Sequence, residues 1–215
     1  MIVSLPMFPL QVVVFPDEQV PLHIFEERYK QLINDCENEG ITFGIPTFLD
    51  GKLEYGTEIK LERVANRHPN GSLDVLCSGL RAFRIEEFYN PFPDKLYAGA
   101  DVVFRAEMGD AANELRFEAF TLVQKLFELL GTKTYEWFEG FTSYTFAHVI
   151  GLSVKQEYHV LTLPTEGDRL HYIVSHLNTT IPVVKEMNRT QKRIAMNGHF
   201  RNYDPLDFED YTLGS

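Results

Sequence analysis

Apolar and polar residues alternate through much of the first hundred residues, and this pattern predicts a β-rich region. Residues 58–64 alternate at a period of two, as expected of a strand with one buried face. The Asp-Gly pair at 50–51 lies between two extended runs and favours a β-hairpin. A turn at 68–71 leads into a returning strand at 73–77, and Gly79 then permits a sharp bend. Further strands are predicted at residues 82–85, 88–89 and 97–104.

The N-terminal segment combines two short extended runs with one helix. Residues 12–15 and 20–24 are bounded by prolines, and both are predicted as edge strands or strand starts because proline cannot donate to a central ladder. Apolar residues then recur at helical spacing from residue 29 to residue 36, and Gly40 stands where a helix would stop. Many short strands with one helix among them indicate a small barrel or a sandwich.

Helical spacing replaces alternation in the second half. Apolar residues recur every three or four positions from 115 to 130, with Asp110 as the candidate N-cap and Gly131 as the stop. A helix this broadly apolar is expected to be covered by neighbours on more than one side.

Two capping patterns predict further helices. They lie at residues 153–156 and 165–168, where a hydroxyl side chain is followed three positions later by Gln or Asp. The second opens an amphipathic stripe from 170 that ends near residue 178, and Pro182 is well placed to start a last helix that ends at residues 197–198. The second half is therefore predicted as a bundle of about four or five helices.

The chain thus divides into a β-rich part at residues 1–106, a helical part at 107–198 and a tail at 199–215. The tail interleaves aromatic and acidic residues. It could dock in a groove of this chain or of another chain, or form a frayed terminus.

Composition narrows the function classes. The 215 residues hold 20 Lys and Arg against 31 Asp and Glu, a net charge of −11. This balance opposes binding to nucleic acid and to an anionic membrane surface. No run approaches the roughly 20 apolar residues of a spanning helix, and no signal peptide is recognised at the N-terminus. Cys36 and Cys77 are too few for a disulfide framework, so a reducing, cytoplasmic location is expected.

The sequence offers no motif that carries catalysis or cofactor binding. Residues 131–134 resemble the end of a phosphate loop, but the upstream glycine is missing. His171 and His176 are five positions apart, which places the two rings on different helix faces, and the other five histidines are scattered. No catalytic residue, cofactor or metal ligand is therefore predicted.

The candidate binding residues are apolar and lie near the N-terminus. A subset of them could line an exposed groove between strands and helices, suited to extended polypeptide, or they could fill the core. They are Met7, Phe8, Phe15, Pro16, Leu22, Phe25 and Tyr29. Glu26 and Arg28 in the same stretch are expected to form local ion pairs rather than to contact a ligand.

Several of these segments resemble the N-terminal substrate-recognition domain of Lon proteases in its stand-alone form. The resemblance lies at residues 5–6, 8–10, 14–16, 21–22, 24–26, 28–29, 56–57, 79 and 81–85. Residues 141–161 also look like the helical subdomain of that family, so the resemblance spans roughly residues 1 to 190.

The resemblance implies an α+β fold, with a six-stranded PUA-like β-barrel holding one helix at residues 1–106 and a helical bundle at 107–198. It also implies a non-catalytic module for unfolded or extended polypeptide, or for a partner protein, with a role in protein quality control. The chain has no room for the ATPase and Ser-Lys peptidase modules of a complete Lon protease, so it is not expected to cleave peptides. The alternatives are a nucleic-acid-binding PUA-like protein and a small-molecule enzyme.

Overall fold

The computed structural model describes residues 1–105, 111–137 and 140–199, with the backbone alone for 195–199. The predicted boundary at 106–107 and the predicted tail beyond residue 199 lie outside the described residues. None of the helices in the described part combines the length and apolar content needed to cross a membrane.

The first half consists of six strands and one helix. The strands are β1 (Ile2–Met7), β2 (Gln19–Ile24), β3 (Phe43–Leu49), β4 (Lys52–Arg67), β5 (Leu73–Tyr89) and β6 (Ala98–Phe104), and helix α1 (Glu27–Glu39) lies between β2 and β3. They form one sheet in the order β2-β5-β4-β3-β1-β6, and β6 also pairs with β5. The β1–β3 pair is parallel and the others are antiparallel.

The predicted hairpin and first helix are confirmed. Leu49 pairs with Lys52, and the two residues between them have φ of 49° and 80°, the positive values that a two-residue turn of type I′ requires. Helix α1 buries its apolar positions against the sheet and ends at Gly40, whose φ of 68° is left-handed and whose N–H donates to the Cys36 carbonyl at 3.1 Å.

Residues 12–15 do not form the predicted strand. The segment runs as a loop in which residues 13–15 are buried, and neighbouring side chains satisfy its backbone. Thr47 and Thr57 donate to the carbonyls of Val12 and Val14, and the Phe15 N–H donates to Glu18 Oε2 at 2.9 Å. The β-branched composition that suggests a strand instead reflects burial of this segment.

Gly79 does not bend its strand sharply, because β5 continues through it. Its N–H donates to the Glu18 carbonyl at 2.9 Å, and its own carbonyl accepts from the Asp17 N–H at 3.0 Å. A Cβ at this position would collide with the carbonyl oxygen of Phe15. The glycine is therefore needed for close approach of the buried loop.

The second half has helices α2 (Asn113–Leu130), α3 (Val154–Thr162) and α4 (Glu166–His199), with a short 3-10 helix at Ala147–Val149. The predicted cap Asp110 lies outside the described residues. Ser153 and Gln156 form the predicted capping box of α3, and Thr165 accepts from the Asp168 N–H at 3.0 Å.

Pro182 does not start a separate helix, because α4 runs through it. The buried stripe of Leu170, Ile173 and Leu177 continues to Ile181, so packing against α2 outweighs the cost of an interior proline, about 3 kcal/mol. The described part of the chain is thus an α+β fold with one six-stranded sheet and four α-helices.

The sheet and the helices share one buried cluster. It joins Val13 and Phe15 of the loop and Ala82 of β5 with side chains that include Ala147, Val160 and Leu161 of the second half. Phe15 is 1% exposed and its ring lies 5.0 Å from that of Tyr144. This loop therefore holds the two halves together.

We expect Gly79→Ala to lower the free energy of unfolding by about 1–3 kcal/mol, because the new methyl group displaces the buried loop. Urea denaturation measures the change.

Gly167→Ala is the matched control, since a Cβ there meets only Thr165 Oγ1 at 3.7 Å. Its stability should be unchanged or raised by up to about 1 kcal/mol. Equal stability of the Gly79 variant and the wild type would contradict the close approach.

Candidate functional site

The seven predicted groove residues do not share one surface. Five of them are buried: Met7, Phe8, Phe15, Pro16 and Tyr29. Leu22 is half-buried, and Phe25 is 65% exposed. The groove stays a prediction, and Phe25 is the member that offers a substantial accessible surface.

The buried members also pack in different places. Phe8 and Tyr29 meet at a ring distance of 4.0 Å, where α1 covers the sheet. Met7 lies in a separate cluster around Phe83, and Phe15 lies in the cluster that joins the halves. The structure therefore brings Phe8 and Tyr29 together but not the other two with them.

Phe25 lies between β2 and α1 on a locally charged surface. Its ring is 6.2 Å from that of His23. The expected pairing of Glu26 with Arg28 is confirmed at 2.7 Å, and the Arg28 guanidinium lies 4.6 Å from the Tyr29 ring. Arg28 and Glu26 thus engage neighbours beside the exposed phenyl ring.

Three exposed aromatic side chains lie on the second half, and we call them the aromatic strip: Phe117, Tyr135 and Trp137. These side chains are 60%, 46% and 43% exposed. The Phe117 and Trp137 rings lie 6.0 Å apart. The Tyr135 N–H donates to Gln124 Oε1 of α2 at 2.9 Å, so the segment after α2 is fastened back onto that helix.

The aromatic strip rests on a buried aromatic layer. Trp137 meets Phe120 edge-on at 5.2 Å, and Tyr135 lies 5.2 Å from Phe146. Phe120 and Phe141 are themselves T-shaped at 5.5 Å. Edge-to-face pairs contribute about 0.5–1.5 kcal/mol each beyond area burial, so the strip is held in place from below.

Helical and strand periodicity do not predict the aromatic strip. Phe117 falls outside the apolar stripe of α2, and Tyr135 and Trp137 follow the helix stop at Gly131. A usable signal exists, because Trp137 is the one tryptophan of the chain and stands in a segment with no helical spacing. Residues without helical or strand spacing are predicted as loop whatever the size of their side chains.

A charged cluster joins the two halves beside the buried loop. His148 Nε2 lies 3.1 Å from Glu18 Oε2, and His148 Nδ1 lies 2.9 Å from Glu157 Oε1. The Glu18 hydrogen bond, aided by that from Glu157 and opposed by burial, raises the pKa of His148 to about 9. The imidazole is therefore charged at neutral pH, and it borders a cavity of about 260 Å³ with Pro16 and Tyr144.

A second cavity, of about 460 Å³, lies between β1, the end of α1 and residues 92–97. Several of its polar lining groups already bond with neighbouring residues. Lys95 Nζ and Tyr97 Oη donate to Asp35 Oδ2 at 2.8 and 2.7 Å, and Ser4 Oγ donates to Asp101. These bonds give the lining a structural role.

Comparison with known proteins identifies one family. Residues 4–179 match the family described as the ATP-dependent protease La (LON) substrate-binding domain. No curated protein matches the chain.

Two solved structures are similar over most of their length. A Lon N-terminal domain protein from Xanthomonas campestris is 27% identical, with a TM-score of 0.63 over 80% of this chain and 98% of that chain. The N-terminal domain of the Mycobacterium avium complex Lon protease is 16% identical, with a TM-score of 0.60 over 81% and 98%. The second likeness is one of fold.

We expect His148→Gln to lower the free energy of unfolding by about 1 kcal/mol at about pH 6, because the charge-assisted bonds are partly exposed. The pKa of His148 is raised from its ordinary 6.5 to about 9. Its contribution is therefore complete below 6.5 and is lost as the pH rises through 9. Urea denaturation at a series of pH values measures this.

His171→Gln is the control, because His171 is exposed and its Nδ1 bonds to the Gly167 carbonyl of its own helix. The difference between wild type and His148→Gln should shrink as the pH rises from about 6 to about 10. A difference that is the same at both ends of that range would contradict the assignment.

Proposed function

Because this chain belongs to the family of the ATP-dependent protease La (LON) substrate-binding domains, we propose that it is a non-catalytic module that binds unfolded or extended polypeptide. The match covers residues 4–179, which is most of the chain. Membership of the family supports substrate recognition in general. The exposed aromatic rings and the negative charge of the chain support polypeptide as the class of substrate.

The aromatic strip is the observation that carries this proposal. Phe117 and Trp137 place two large rings on the surface, and contiguous exposed apolar surface of this kind marks interaction sites. Aromatic rings offer large contact area at low entropic cost. Since a buried layer holds Trp137 through Phe120 and Phe141, the strip is preorganised for binding.

Charge favours polypeptide over nucleic acid as the partner. Aromatic rings can also stack on bases, but such sites lie in positively charged grooves. The net charge of this chain is −11. Glu114, Glu118 and Glu136 are exposed near the ends and face of the segment that carries the strip, which disfavours a phosphate backbone.

Two members of the predicted N-terminal groove are accessible to a partner. Phe25 and Leu22 are proposed as a second apolar contact for the same polypeptide. Phe25 is the more exposed of the two, and its neighbours His23 and Arg28 can bind the backbone or side chains of a peptide. The buried members of the set support the fold around them.

The proposal extends to architecture and cellular role. The pairing of β6 with both β1 and β5 supports a PUA-like barrel, and the shared cluster of α2 and α4 supports a helical bundle. Two buried free cysteines agree with a reducing, cytoplasmic location. A role in protein quality control follows if the polypeptides bound are unfolded.

The test uses Trp137 as the reporter, because it is the one tryptophan of the chain. We expect a tryptophan-free, permanently unfolded polypeptide to shift Trp137 emission and to raise the anisotropy of a labelled copy of that polypeptide. Phe117→Ala should weaken the affinity by about tenfold, or about 1.4 kcal/mol.

Leu96→Ala is the matched control, because the Leu96 side chain is 61% exposed, similar to that of Phe117. Leu96 lies beside α1, where its backbone N–H donates to Gln31 Oε1, and it is not part of the aromatic strip. Its affinity should equal that of the wild type. Absence of any response at tens of micromolar polypeptide would remove the proposal. Binding of single-stranded RNA that falls steeply with salt would favour the nucleic-acid alternative.

A further inference from the structure

Two histidines and one aspartate converge at one end of β2, β4 and β5, where His23 meets His68 and Asp74 although 51 positions separate His23 from Asp74. His23 Nδ1 lies 2.7 Å from Asp74 Oδ1, and His68 Nε2 lies 2.8 Å from Asp74 Oδ2. Their potential ligand atoms all lie within 4.8 Å of one another. Across the described ranges, this is the one group of three His, Cys, Asp or Glu side chains with that geometry.

The sheet register positions two of the three groups. His23 of β2 lies directly opposite Asp74 of β5, so the two side chains stand on the same face of adjacent strands. Both side chains are partly exposed, at 53% and 36%. An ion from solvent can therefore reach them without opening the fold.

The third group is positioned by a turn with a defined hydrogen-bond pattern. The His68 N–H donates to the Ser72 carbonyl at 2.9 Å, and the Gly71 N–H donates to the His68 carbonyl at 2.9 Å. Asn70 Oδ1 accepts from both the N–H and the hydroxyl of Ser72. Gly71 has a φ of 80°, which this turn requires. The imidazole is thus carried on an ordered turn.

Neighbouring groups orient the three side chains further. Asn66 Nδ2 donates to Asp74 Oδ2 at 3.2 Å, and the Phe25 ring stacks on that of His23. Such outer bonds are characteristic of metal sites, where they fix the ligands.

We propose that His23, His68 and Asp74 form a binding site for a divalent transition-metal ion, with Zn²⁺ as the best-matched ion. Two imidazoles and one carboxylate are ligands that Zn²⁺ takes, and three protein ligands leave one tetrahedral position for water or another group. Imidazole ligands also suit Cu²⁺ and Ni²⁺, whereas Mg²⁺ prefers oxygen ligands alone.

The side chains need only small movements to coordinate the ion. Ligand atoms around a tetrahedral zinc lie about 3.4 Å apart, since each bond is about 2.0–2.2 Å. The ligand atoms are now separated by 2.7 Å to at most 4.8 Å. Side-chain rotations that move these atoms by about 1 Å would therefore bring them to the spacing of a zinc site. On binding, each neutral ring moves its single proton from the nitrogen that faces Asp74 to its other nitrogen, so that the facing nitrogen offers its lone pair to the ion.

The cysteines do not compete for the ion. Cys36 and Cys77 are both buried, and burial raises the pKa of each thiol to about 12. Because the thiolate is the metal ligand, both stay unreactive in the folded chain. Binding by the folded protein therefore reports on the histidine cluster.

Calorimetric titration of the full chain with Zn²⁺ tests the site. We expect one equivalent to bind with micromolar or tighter affinity, and Mg²⁺ not to bind. His68→Gln and His23→Gln should each abolish stoichiometric binding, and Asn66→Ala should weaken it by about tenfold through loss of the outer bond. X-ray absorption of the zinc complex should show two imidazole ligands.

His171→Gln is the control, because this exposed histidine lies on α4 and outside the cluster. It should leave the affinity unchanged, and circular dichroism should show that every variant is folded. The two histidine variants alter different elements, β2 and the β4–β5 turn, so failure of one to fold leaves the other as the test. Absence of stoichiometric binding, or unchanged affinity in a folded His68→Gln or His23→Gln variant, would overturn the proposal.

Discussion

The fold depends on a buried loop whose backbone must be satisfied without a strand ladder. Residues 13–16 are buried between the sheet and the helical half, where unpaired backbone groups are costly. The Thr57 hydroxyl donates to the Val14 carbonyl, and the Glu18 carboxylate accepts from the Phe15 N–H. The N–H and the carbonyl of Gly79 bond with the backbone of Glu18 and Asp17 at the end of the loop. At Gly79 a side chain would collide with the Phe15 carbonyl oxygen. The loop therefore constrains β4 and β5 as much as they constrain it.

The same loop positions the second half of the molecule. Phe15 stacks on Tyr144 and contacts the His148 ring, and the Glu18 carboxylate forms an ion pair with that histidine. Apolar and charged contacts therefore act on the same elements, and the charged contact alone depends on pH. Because the core already uses Phe15, Phe8 and Met7, surfaces available for a partner must come from other side chains. The surfaces proposed here are the aromatic strip and Phe25.

Features set by local chemistry could be predicted from the sequence, and features set by tertiary packing could not. The Asp-Gly hairpin, helix α1 with its Gly40 stop and the capping box of α3 all depend on residues a few positions apart. The predicted strand at 12–15 and the predicted break at Pro182 are wrong. In both places distant packing overrides local preference: side chains of the sheet satisfy the loop, and Ile181 continues the buried face of α4.

The sequence by itself determined the α+β character, most turns and helices, and the resemblance to the family. These features depend on periodicity and turn chemistry, which involve residues only a few positions apart. Only the tertiary structure decided which apolar residues reach the surface. Phe15 and Phe25 look equivalent in sequence, yet one is 1% and the other 65% exposed. Only the structure brought His23 and His68 together, since strand register and a turn about 45 residues away fix their distance. Exposure and convergence arise from contacts between distant segments, and no local pattern encodes them.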